Sequence, residues 1–167
     1  DSRPFICMEL VEGRPLNEII DEADAEGLPF IQAIDIADDL LKALEYAHSQ
    51  DVVHRDIKPS NIMAPKEGPL KLMDFGIAKI LEPSSKTTKI AGTPSYMAPE
   101  QMVGKGIDPR TDLFAMGVAL YEMVTGYLPF EGMRRDLRPI PPKQLRPDTD
   151  QGLSDFILQA IAVEKDD

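Results

Sequence analysis

The chain has 167 residues, of which 43% are hydrophobic, and it carries a formal net charge of −11. This length suits one domain, and the apolar content is sufficient for a packed core, which excludes extensive disorder. The negative charge argues against binding to nucleic acid or to an anionic membrane surface, because both attract basic proteins.

The first fifty residues predict a strand followed by two helices. The apolar run FICMEL at 5–10 is typical of a buried strand, which Gly13 ends. PLNEIIDEA at 15–23 begins with proline and predicts a short helix. From Phe30 to His48 the apolar residues recur at helical spacing and predict a longer helix with one buried face. That face is predicted to contain Phe30, Ile34, Ala37, Leu41, Leu44 and His48, widened by Ala33, Leu40 and Ala47.

The middle of the chain predicts a β-hairpin and then a long loop. NIMA at 61–64 and LKLM at 70–73 flank PKEGP, a sequence typical of a turn. Residues 77–110 have little periodicity and many Gly, Pro, Ser and Thr residues, so we predict one long loop there.

The last third predicts two further helices around a basic segment. TDLFAMGVALYEMVTG at 111–126 is apolar on nearly all sides, which predicts a helix buried at the centre of the domain and ended by Gly126. RRDLRPIPPKQLRP at 134–147 is predicted to be extended, and its basic part to be solvated. Apolar spacing predicts a last amphipathic helix with Leu153, Phe156, Ile157, Ala160 and Ile161 on one face. The fold class is therefore α+β, mainly α.

The motif HRDIKPSN at 54–61 places charged and amide side chains in one turn directly before the hairpin. We expect the hairpin to bring Asn61, which precedes it, close to Asp74, which follows it. An amide oxygen and a carboxylate suit Mg²⁺, which completes its shell with water and phosphate. Asp56 can accept a proton from an incoming hydroxyl group, and Lys58 can reach toward phosphate charge.

Three motifs in order carry a resemblance to protein kinases. HRDIKPSN resembles their catalytic loop, DFG at 74–76 their magnesium-binding motif, and APE at 98–100 the end of their activation segment. The lysine of RDIKPSN and the stretch GTPSYMAPE resemble the serine/threonine branch. TDLFAMGVALYEMVTGYLPF is most similar to the bacterial, eukaryotic-like members. The resemblance runs from about Phe5 to the end and implies a protein-kinase-like C-terminal lobe with a buried central helix and a short hairpin.

The resemblance implies catalytic, metal and nucleotide roles. Asp56 would be the base for the substrate hydroxyl, Lys58 would steady the transferred phosphoryl group, and Asn61 with Asp74 would hold Mg²⁺. The residues implied to bind the ATP cofactor are Met8, Glu9, Val11, Leu16, Lys58, Ser60, Asn61, Met63 and Asp74, with Ile62 and Ala64 also around the adenine.

The resemblance also implies structural roles. His54 and Phe75 would stack within an internal apolar spine, and Asp112 would anchor the backbone of the catalytic loop. In the family Glu100 pairs with an arginine beyond the last helix. The chain stops before that position, so we expect Glu100 to lack this partner.

The segment between DFG and APE is predicted to be a phosphorylation switch. We predict phosphorylation of Thr87, Thr88 or both, with Arg55 and Lys79 receiving the phosphate. Thr93 is expected to bond to the catalytic loop instead. The alternative is a hydroxyl-rich loop without regulation.

The domain organisation that the resemblance implies is incomplete. Residues 1–12 are expected to be the last strand and the hinge of the small lobe, and residues 13–167 the helical large lobe, truncated at its C-terminus. The sequence contains neither a glycine-rich phosphate loop nor the strand lysine of the family. The N-terminal lobe is therefore expected to be a missing partner.

The function that the resemblance implies is ATP- and Mg²⁺-dependent phosphoryl transfer to serine or threonine hydroxyl groups of protein substrates. The fragment by itself is expected to be inactive, and its location cytoplasmic, with room for a membrane anchor further downstream in the parent. One alternative is a truncated pseudokinase that acts as a binding scaffold. Another is a metal hydrolase that uses His54, Asp56 and Asp74, but it explains neither the APE segment nor the buried helix.

Overall fold

The structure of the protein is a computed structural model, and it describes residues 9–75, 94–104 and 106–163. Helices dominate these residues. The helices are α1 (Leu16–Ala23), α2 (Phe30–Ser49), α3 (Pro99–Val103), α4 (Pro109–Thr125), α5 (Pro142–Leu145) and α6 (Gln151–Ala160). The strands are β1 (Gly13–Pro15), β2 (Ile62–Pro65) and β3 (Lys71–Leu72), and short 3₁₀ turns lie at Asp24–Glu26, Pro59–Asn61 and Pro94–Tyr96. The prediction of a mainly helical α+β fold is confirmed.

The small sheet contains the predicted hairpin and one strand that the sequence did not indicate. Strands β2 and β3 are antiparallel, with Ile62 opposite Leu72. Strand β1 pairs with the other edge of β2, with Gly13 opposite Pro65. A Cβ on residue 13 would clash with the carbonyl oxygen of Ala64. The glycine that suggested a break is thus the residue that lets the two backbones approach.

The first part of the chain leaves one prediction open. Most of the strand predicted at 5–10 lies outside the described residues. Glu9 and Leu10 are described and have no regular structure, and Leu10 is 86% exposed. The assignment of residues 1–12 to a small-lobe strand and hinge stays a prediction.

Helix α2 has the predicted position, but its buried face is rotated from the predicted stripe. Ile34 was expected inside and is 48% exposed, whereas Ile36 was not expected there and is 8% exposed. Alanines lie near the centre of this face, where they allow α2 to pack closely on α4. A prediction that relies mainly on the largest apolar side chains therefore misplaces the buried face of α2. The buried residues are Ala33, Ile36, Ala37, Leu40, Leu44 and Ala47.

The predicted central helix is confirmed as α4, which is buried on nearly all sides. The Asp108 carboxylate accepts a hydrogen bond from the backbone N–H of Arg110 at 2.8 Å and caps the helix start. Gly126 ends the helix with φ 74°, a left-handed conformation that favours glycine. A Cβ on Gly117 would lie 2.8 Å from the Cβ of Ala160, so this glycine allows close packing of α6.

Two segments that were predicted without helices contain short ones. Helix α3 lies inside the predicted loop 77–110, and α5 lies inside the predicted extended segment 134–147. In both helices a proline occupies the first turn, where its missing N–H costs no intrahelical bond. The high proline content of these segments concealed this signal.

The prediction that the basic segment is solvated is wrong for Arg135. This side chain is half-buried and donates to backbone carbonyl groups of residues 94–97. Further along, Arg146 donates to the Leu28 carbonyl oxygen at 2.7 Å and lies over the ring of Phe30, 3.9 Å from its centroid. Arginines in this segment therefore stabilise the fold.

The last helix, α6, is confirmed, with one misassigned residue on its buried face. Ile157 and Ile161 are buried as predicted, but Phe156 is 48% exposed. Ser154 is buried instead, because its small side chain fits under α5 and receives a 3.4 Å hydrogen bond from Lys143 N. Across the described ranges, no helix combines the length and apolar character that spanning a membrane requires.

Candidate active site

The backbone of the loop 54–61 is fixed by Asp112, which lies in the first turn of α4 and is 1% exposed. Its two carboxylate oxygens accept hydrogen bonds from the backbone N–H groups of His54 and Arg55, each at 2.8 Å. The same carboxylate lies 2.9 Å from Nε2 of His48, at the end of α2. Arg55 has φ 69°, a strained conformation for a residue with a side chain. These bonds hold the loop in that conformation.

His54 is completely buried and links the loop to the residues that follow the hairpin. Its Nε2 lies 2.8 Å from the carbonyl oxygen of Met73, and its Nδ1 lies 3.2 Å from the backbone N–H of Asp56. The carbonyl can only accept and the N–H can only donate, which assigns the neutral Nε2–H tautomer. The ring of Phe75 contacts the imidazole, with 4.6 Å between centroids and a tilt of 52°.

Burial lowers the pKa of His54. The bond to the Met73 carbonyl and the carboxylates of Asp112, Asp56 and Asp74 oppose this shift, in that order, without reversing it. Both ring nitrogens are bonded to the backbone and the side chain is completely buried, so His54 has no free nitrogen positioned to take a proton from a substrate. The carboxylate interactions indicate that Asp56 and Asp74 both lie near this imidazole.

Asp56, Lys58 and Asn61 form one connected group. The Asn61 side-chain N–H₂ donates to the Asp56 carbonyl oxygen at 2.8 Å and to its carboxylate Oδ2 at 3.1 Å. The ammonium group of Lys58 lies 3.0 Å from the same Oδ2. Asn61 is 6% exposed, and the two hydrogen bonds to Asp56 hold its side-chain rotamer. The Asn61 amide oxygen takes no part in either bond.

The hairpin returns the chain to Asn61, as predicted. The backbone N–H of Met73 donates to the carbonyl oxygen of Asn61 at 2.8 Å, and Asp74 follows directly. Asp74 is exposed and has φ 56°, a left-handed conformation that aspartate tolerates better than most residues. The structure thus joins the two ends of the hairpin beside the loop that carries Asp56.

The oxygen donors near the hairpin fit a hard divalent cation. In the described part of the chain, no group of three or more His, Cys, Asp or Glu side chains is arranged to hold a metal ion. The remaining candidates are the amide oxygen of Asn61 and the carboxylate of Asp74. Such a small donor set fits Mg²⁺, which retains water and phosphate ligands.

Burial contradicts two predicted adenine contacts. Leu16 is 0% exposed, covered by the protein core, so it presents no surface to a nucleotide. Ile62, also placed around the adenine, is 0% exposed as well. Leu16 is the first residue of α1 and Ile62 the first residue of β2, and both side chains face the core. The apolar pattern of the sequence cannot distinguish a core-facing position from a ligand-facing one. Met63 and Ala64 are half-buried and retain accessible surface.

Three other residues predicted to bind the nucleotide lie on accessible surface near the sheet and the loop. Glu9 is exposed and forms an ion pair with Lys71 of β3. Val11 is half-buried, and Ser60 is exposed within the 3₁₀ turn that ends at Asn61. Met8, Lys79, Thr87, Thr88 and Thr93 lie outside the described residues.

Comparisons with known proteins decide the family. The protein kinase domain family matches residues 1–146 of the chain. The chain belongs to the protein kinase family. Serine/threonine-protein kinase PksC of Streptomyces coelicolor is 46% identical over 134 residues, and PknB of Mycobacterium leprae is 38% identical over 172 residues.

The structure also resembles a solved kinase domain. The crystal structure of the Mycobacterium tuberculosis PknI kinase domain superposes with a TM-score of 0.76 at 27% identity, covering 94% of this chain and 57% of that one. The alignments cover 77% of this chain and 24% of PksC, and 95% of this chain and 27% of PknB. The chain therefore spans about a quarter of the length of these relatives.

Glu100, in the APE motif, was expected to lack the arginine with which the family pairs it; that stays a prediction, but Glu100 has another partner in this structure. Its carboxylate Oε1 accepts a hydrogen bond from the Thr111 hydroxyl group at 2.7 Å. Thr111 lies in the first turn of α4 and is 0% exposed. The expectation considered only an arginine beyond the last helix and overlooked a hydroxyl group close in sequence.

Two residues that connect the loop 54–61 to its surroundings were missed in the sequence. His48 was assigned to the apolar stripe of α2, yet its Nε2 contacts Asp112. Gln101 of α3 donates from its side chain to the Arg55 carbonyl oxygen at 2.7 Å. Both contacts join residues more than forty positions apart, so helical spacing gave no signal for them.

A second carboxylate on α4 binds the end of the activation segment. The hydroxyl group of Tyr96 donates to Oε2 of Glu122 at 2.5 Å. Burial raises the pKa of both groups, and the carboxylate of Asp21 adds to both shifts. The sequence signalled neither partner, because each lies in a pattern that was interpreted as a loop or as core.

Proposed function

We propose that this chain is the large lobe of an ATP-dependent serine/threonine protein kinase that transfers the γ-phosphoryl group to hydroxyl groups of proteins. The observation that carries the proposal is the group formed by Asp56, Lys58 and Asn61 on a loop fixed by Asp112. The names of PksC and PknB support the serine/threonine branch.

Asn61 and Asp74 would hold the metal, through the amide oxygen and the carboxylate. Bound there with ATP, Mg²⁺ would neutralise charge on the β- and γ-phosphates. The bonds from Asn61 to Asp56 orient the amide so that its oxygen faces away from the base. Asn61 therefore serves both the metal and the position of Asp56.

Asp56 would accept the proton of the substrate hydroxyl group as its oxygen bonds to the γ-phosphorus. The bond from that phosphorus to the β,γ-bridging oxygen breaks, and ADP leaves with the electron pair. The Asp56 side chain is 32% exposed, so an incoming hydroxyl group can reach it. The Lys58 ammonium group, 3.0 Å from Asp56, would offset negative charge on the transferred group.

We propose that a small lobe covers the nucleotide from the side of residues 9–12 and the half-buried Met63. The exposed Glu9 and Leu10 suit a hinge position. Phosphorylation of Thr87 or Thr88, with Arg55 and Lys79 receiving the phosphate, is proposed as the activating switch. The Arg55 side chain is exposed, so its guanidinium group can reach a phosphate. The bond from its backbone N–H to Asp112 holds the Arg55 backbone in place.

The test is phosphoryl transfer from γ-labelled ATP to a library of serine, threonine and tyrosine peptides by the full-length gene product. Asp56→Asn should lower the transfer rate by about 10²–10⁴-fold. Asp74→Asn should abolish it together with Mg²⁺-dependent ATP binding. Lys42→Ala, which removes a surface ion pair with Asp38, is the matched control and should retain full activity.

The pattern of failure distinguishes the alternatives. Unchanged transfer in Asp56→Asn would contradict the assigned base. ATP binding without transfer in the unaltered protein would favour a binding scaffold. Hydrolysis of phosphate esters without ATP would favour a metal hydrolase.

A further inference from the structure

The turn that follows α4 places a guanidinium group against the end of the activation segment. Nη2 of Arg135 donates to the carbonyl oxygens of Pro94, Ser95 and Met97 at 2.9, 3.1 and 2.8 Å. Three acceptors from four consecutive residues thus meet one nitrogen. The contact is with main chain, so it fixes the backbone of 94–97 whatever side chains the segment carries.

The opposite side of the same guanidinium group is held by its own turn. Nη1 of Arg135 donates to the carbonyl oxygens of Gly132 and Arg134 at 2.9 and 3.3 Å. Gly132 has φ 58°, which a glycine adopts without strain and which folds the turn back on itself. The guanidinium group lies over the ring of Phe130, 4.3 Å from its centroid, and 5.8 Å from that of Phe114. Contacts within its own turn therefore hold the Arg135 side chain in place independently of its bonds to residues 94–97.

The charge of Arg135 is balanced in an unusual way. Within the described ranges, no carboxylate lies within ion-pair distance of this residue. Burial lowers its pKa to about 10, so the group remains protonated at neutral pH. Carbonyl dipoles and two aromatic faces therefore offset the charge. Removing a cation from water costs free energy, and an uncharged residue at this position of the turn would not incur that cost.

The segment that Arg135 contacts is joined to α4 by one further bond, and α3, which follows the segment, is joined to the catalytic loop by another. Tyr96 within the segment donates to Glu122 of α4. Directly after it, Gln101 of α3 donates to the carbonyl oxygen of Arg55. Residues 94–97 are thus joined through α3 to the loop that carries Asp56, so we expect their backbone position to affect the binding of a protein substrate.

We propose that Arg135 is a positioning residue that holds residues 94–97 in the geometry required to bind the protein substrate. The proposal rests on the proposed kinase function. Arg135 acts through the backbone of the segment and does not itself touch ATP. Its loss should therefore weaken substrate binding and leave nucleotide binding intact.

The kinetic test uses the full-length gene product and compares KM values for a peptide substrate and for ATP. Arg135→Ala should raise the peptide KM about tenfold, since bonds to charged donors are the stronger class. The KM for ATP should change less than about twofold, because no contact to the nucleotide is removed. Arg135→Lys keeps the charge but lacks the planar fork, so it should recover part of the loss. Arg134→Ala is the matched control, because Arg134 is exposed and pairs with Asp136 at 3.1 Å.

A second measurement separates this proposal from the proposed function. Amide hydrogen exchange in Arg135→Ala should accelerate in residues 94–101 and remain unchanged in α2. If the unaltered protein transfers no phosphate, the proposed function fails, and the exchange data still decide whether Arg135 holds the segment. Exchange equal to that of Arg134→Ala, or an equal rise of both KM values, would overturn the proposal. If Arg135→Ala does not fold, Arg135→Lys gives the same comparison at smaller amplitude.

Discussion

Two carboxylates on the same helix, α4, hold different parts of the candidate site in different ways. Asp112 accepts bonds from two backbone N–H groups of the catalytic loop and contacts His48. Glu122 accepts one bond, from the hydroxyl group of Tyr96 in the activation segment. The first anchor fixes main chain and the second fixes a side chain, although both use a buried or half-buried acid.

The difference has an energetic consequence. Without Asp112, two backbone N–H groups lose their acceptors and Arg55 loses the bond that keeps it at φ 69°. Without the bond to Glu122, Tyr96 loses one partner and its backbone conformation is not directly affected. The catalytic loop is therefore expected to be far more sensitive to its anchor than the activation segment is.

The largest effect should follow from Asp112→Ala. We expect it to lower the free energy of unfolding by about 3 kcal/mol or more, because the hydrogen bonds from two backbone N–H groups to a buried carboxylate and the contact with His48 are lost together. Urea denaturation measures the change, and Asp38→Ala on the exposed face of α2 is the control. A loss no larger than that of the control would break the comparison.

Tyr96→Phe should have a smaller effect. We expect it to lower the free energy of unfolding by about 2 kcal/mol, because it removes the donor to a largely desolvated carboxylate. Tyr46→Phe serves as the control, since Tyr46 is 73% exposed. If Tyr96→Phe exceeded Asp112→Ala in the same denaturation experiment, the proposed order of the two anchors would be reversed.

Tyr121→Phe extends the comparison to a neutral acceptor on the same helix. The Tyr121 hydroxyl group donates to the Ile140 carbonyl oxygen at 2.8 Å, and burial raises the pKa of this tyrosine to about 12. Removing this bond should lower the free energy of unfolding by about 1 kcal/mol, less than Tyr96→Phe, because no ionised partner is left behind. Equal losses in the two variants would indicate that the charge of Glu122 is unimportant.

The smallest predicted effect is a change in the pH dependence of stability. The pKa of Glu122 is raised above its ordinary value of 4.5 in the folded state, so the folded state binds this proton more tightly. Its contribution to stability is complete below pH 4.5 and declines as pH rises through the raised pKa. Glu122→Gln removes this decline. The free energy of unfolding of the variant, relative to that of the unaltered chain, should therefore rise as the pH increases. A stability difference that is constant from pH 4 to pH 8 would contradict the assigned shift.

The sequence predicted those features that depend on neighbours in the chain. The hairpin followed from its turn residues, and α4 from its apolar character and from Gly126. The proximity of Asn61 to the residues before Asp74 followed from the hairpin. These features are local, so propensity and spacing are sufficient to predict them.

The features that the sequence did not reveal depend on distant partners. His48 and Gln101 contact residues of the loop and its anchor that lie far along the chain, and a single pattern cannot indicate such pairs. Arg135 belongs to a basic stretch that composition assigned to solvent. Leu16 shows the opposite error, because an apolar residue beside a predicted ligand site can be fully buried by protein. Burial depends on three-dimensional packing, which the pattern does not contain.

The most direct test of the account is whether one divalent cation, carried by a nucleotide, binds between Asn61 and Asp74. Manganese can replace magnesium with ATP, and NMR then detects the paramagnetic broadening of nearby nuclei. The account predicts that the side-chain amide of Asn61 and the backbone amide of Asp74 broaden first, and that Asp74→Asn greatly weakens both effects. Broadening centred elsewhere, or none at these two residues, would contradict the account.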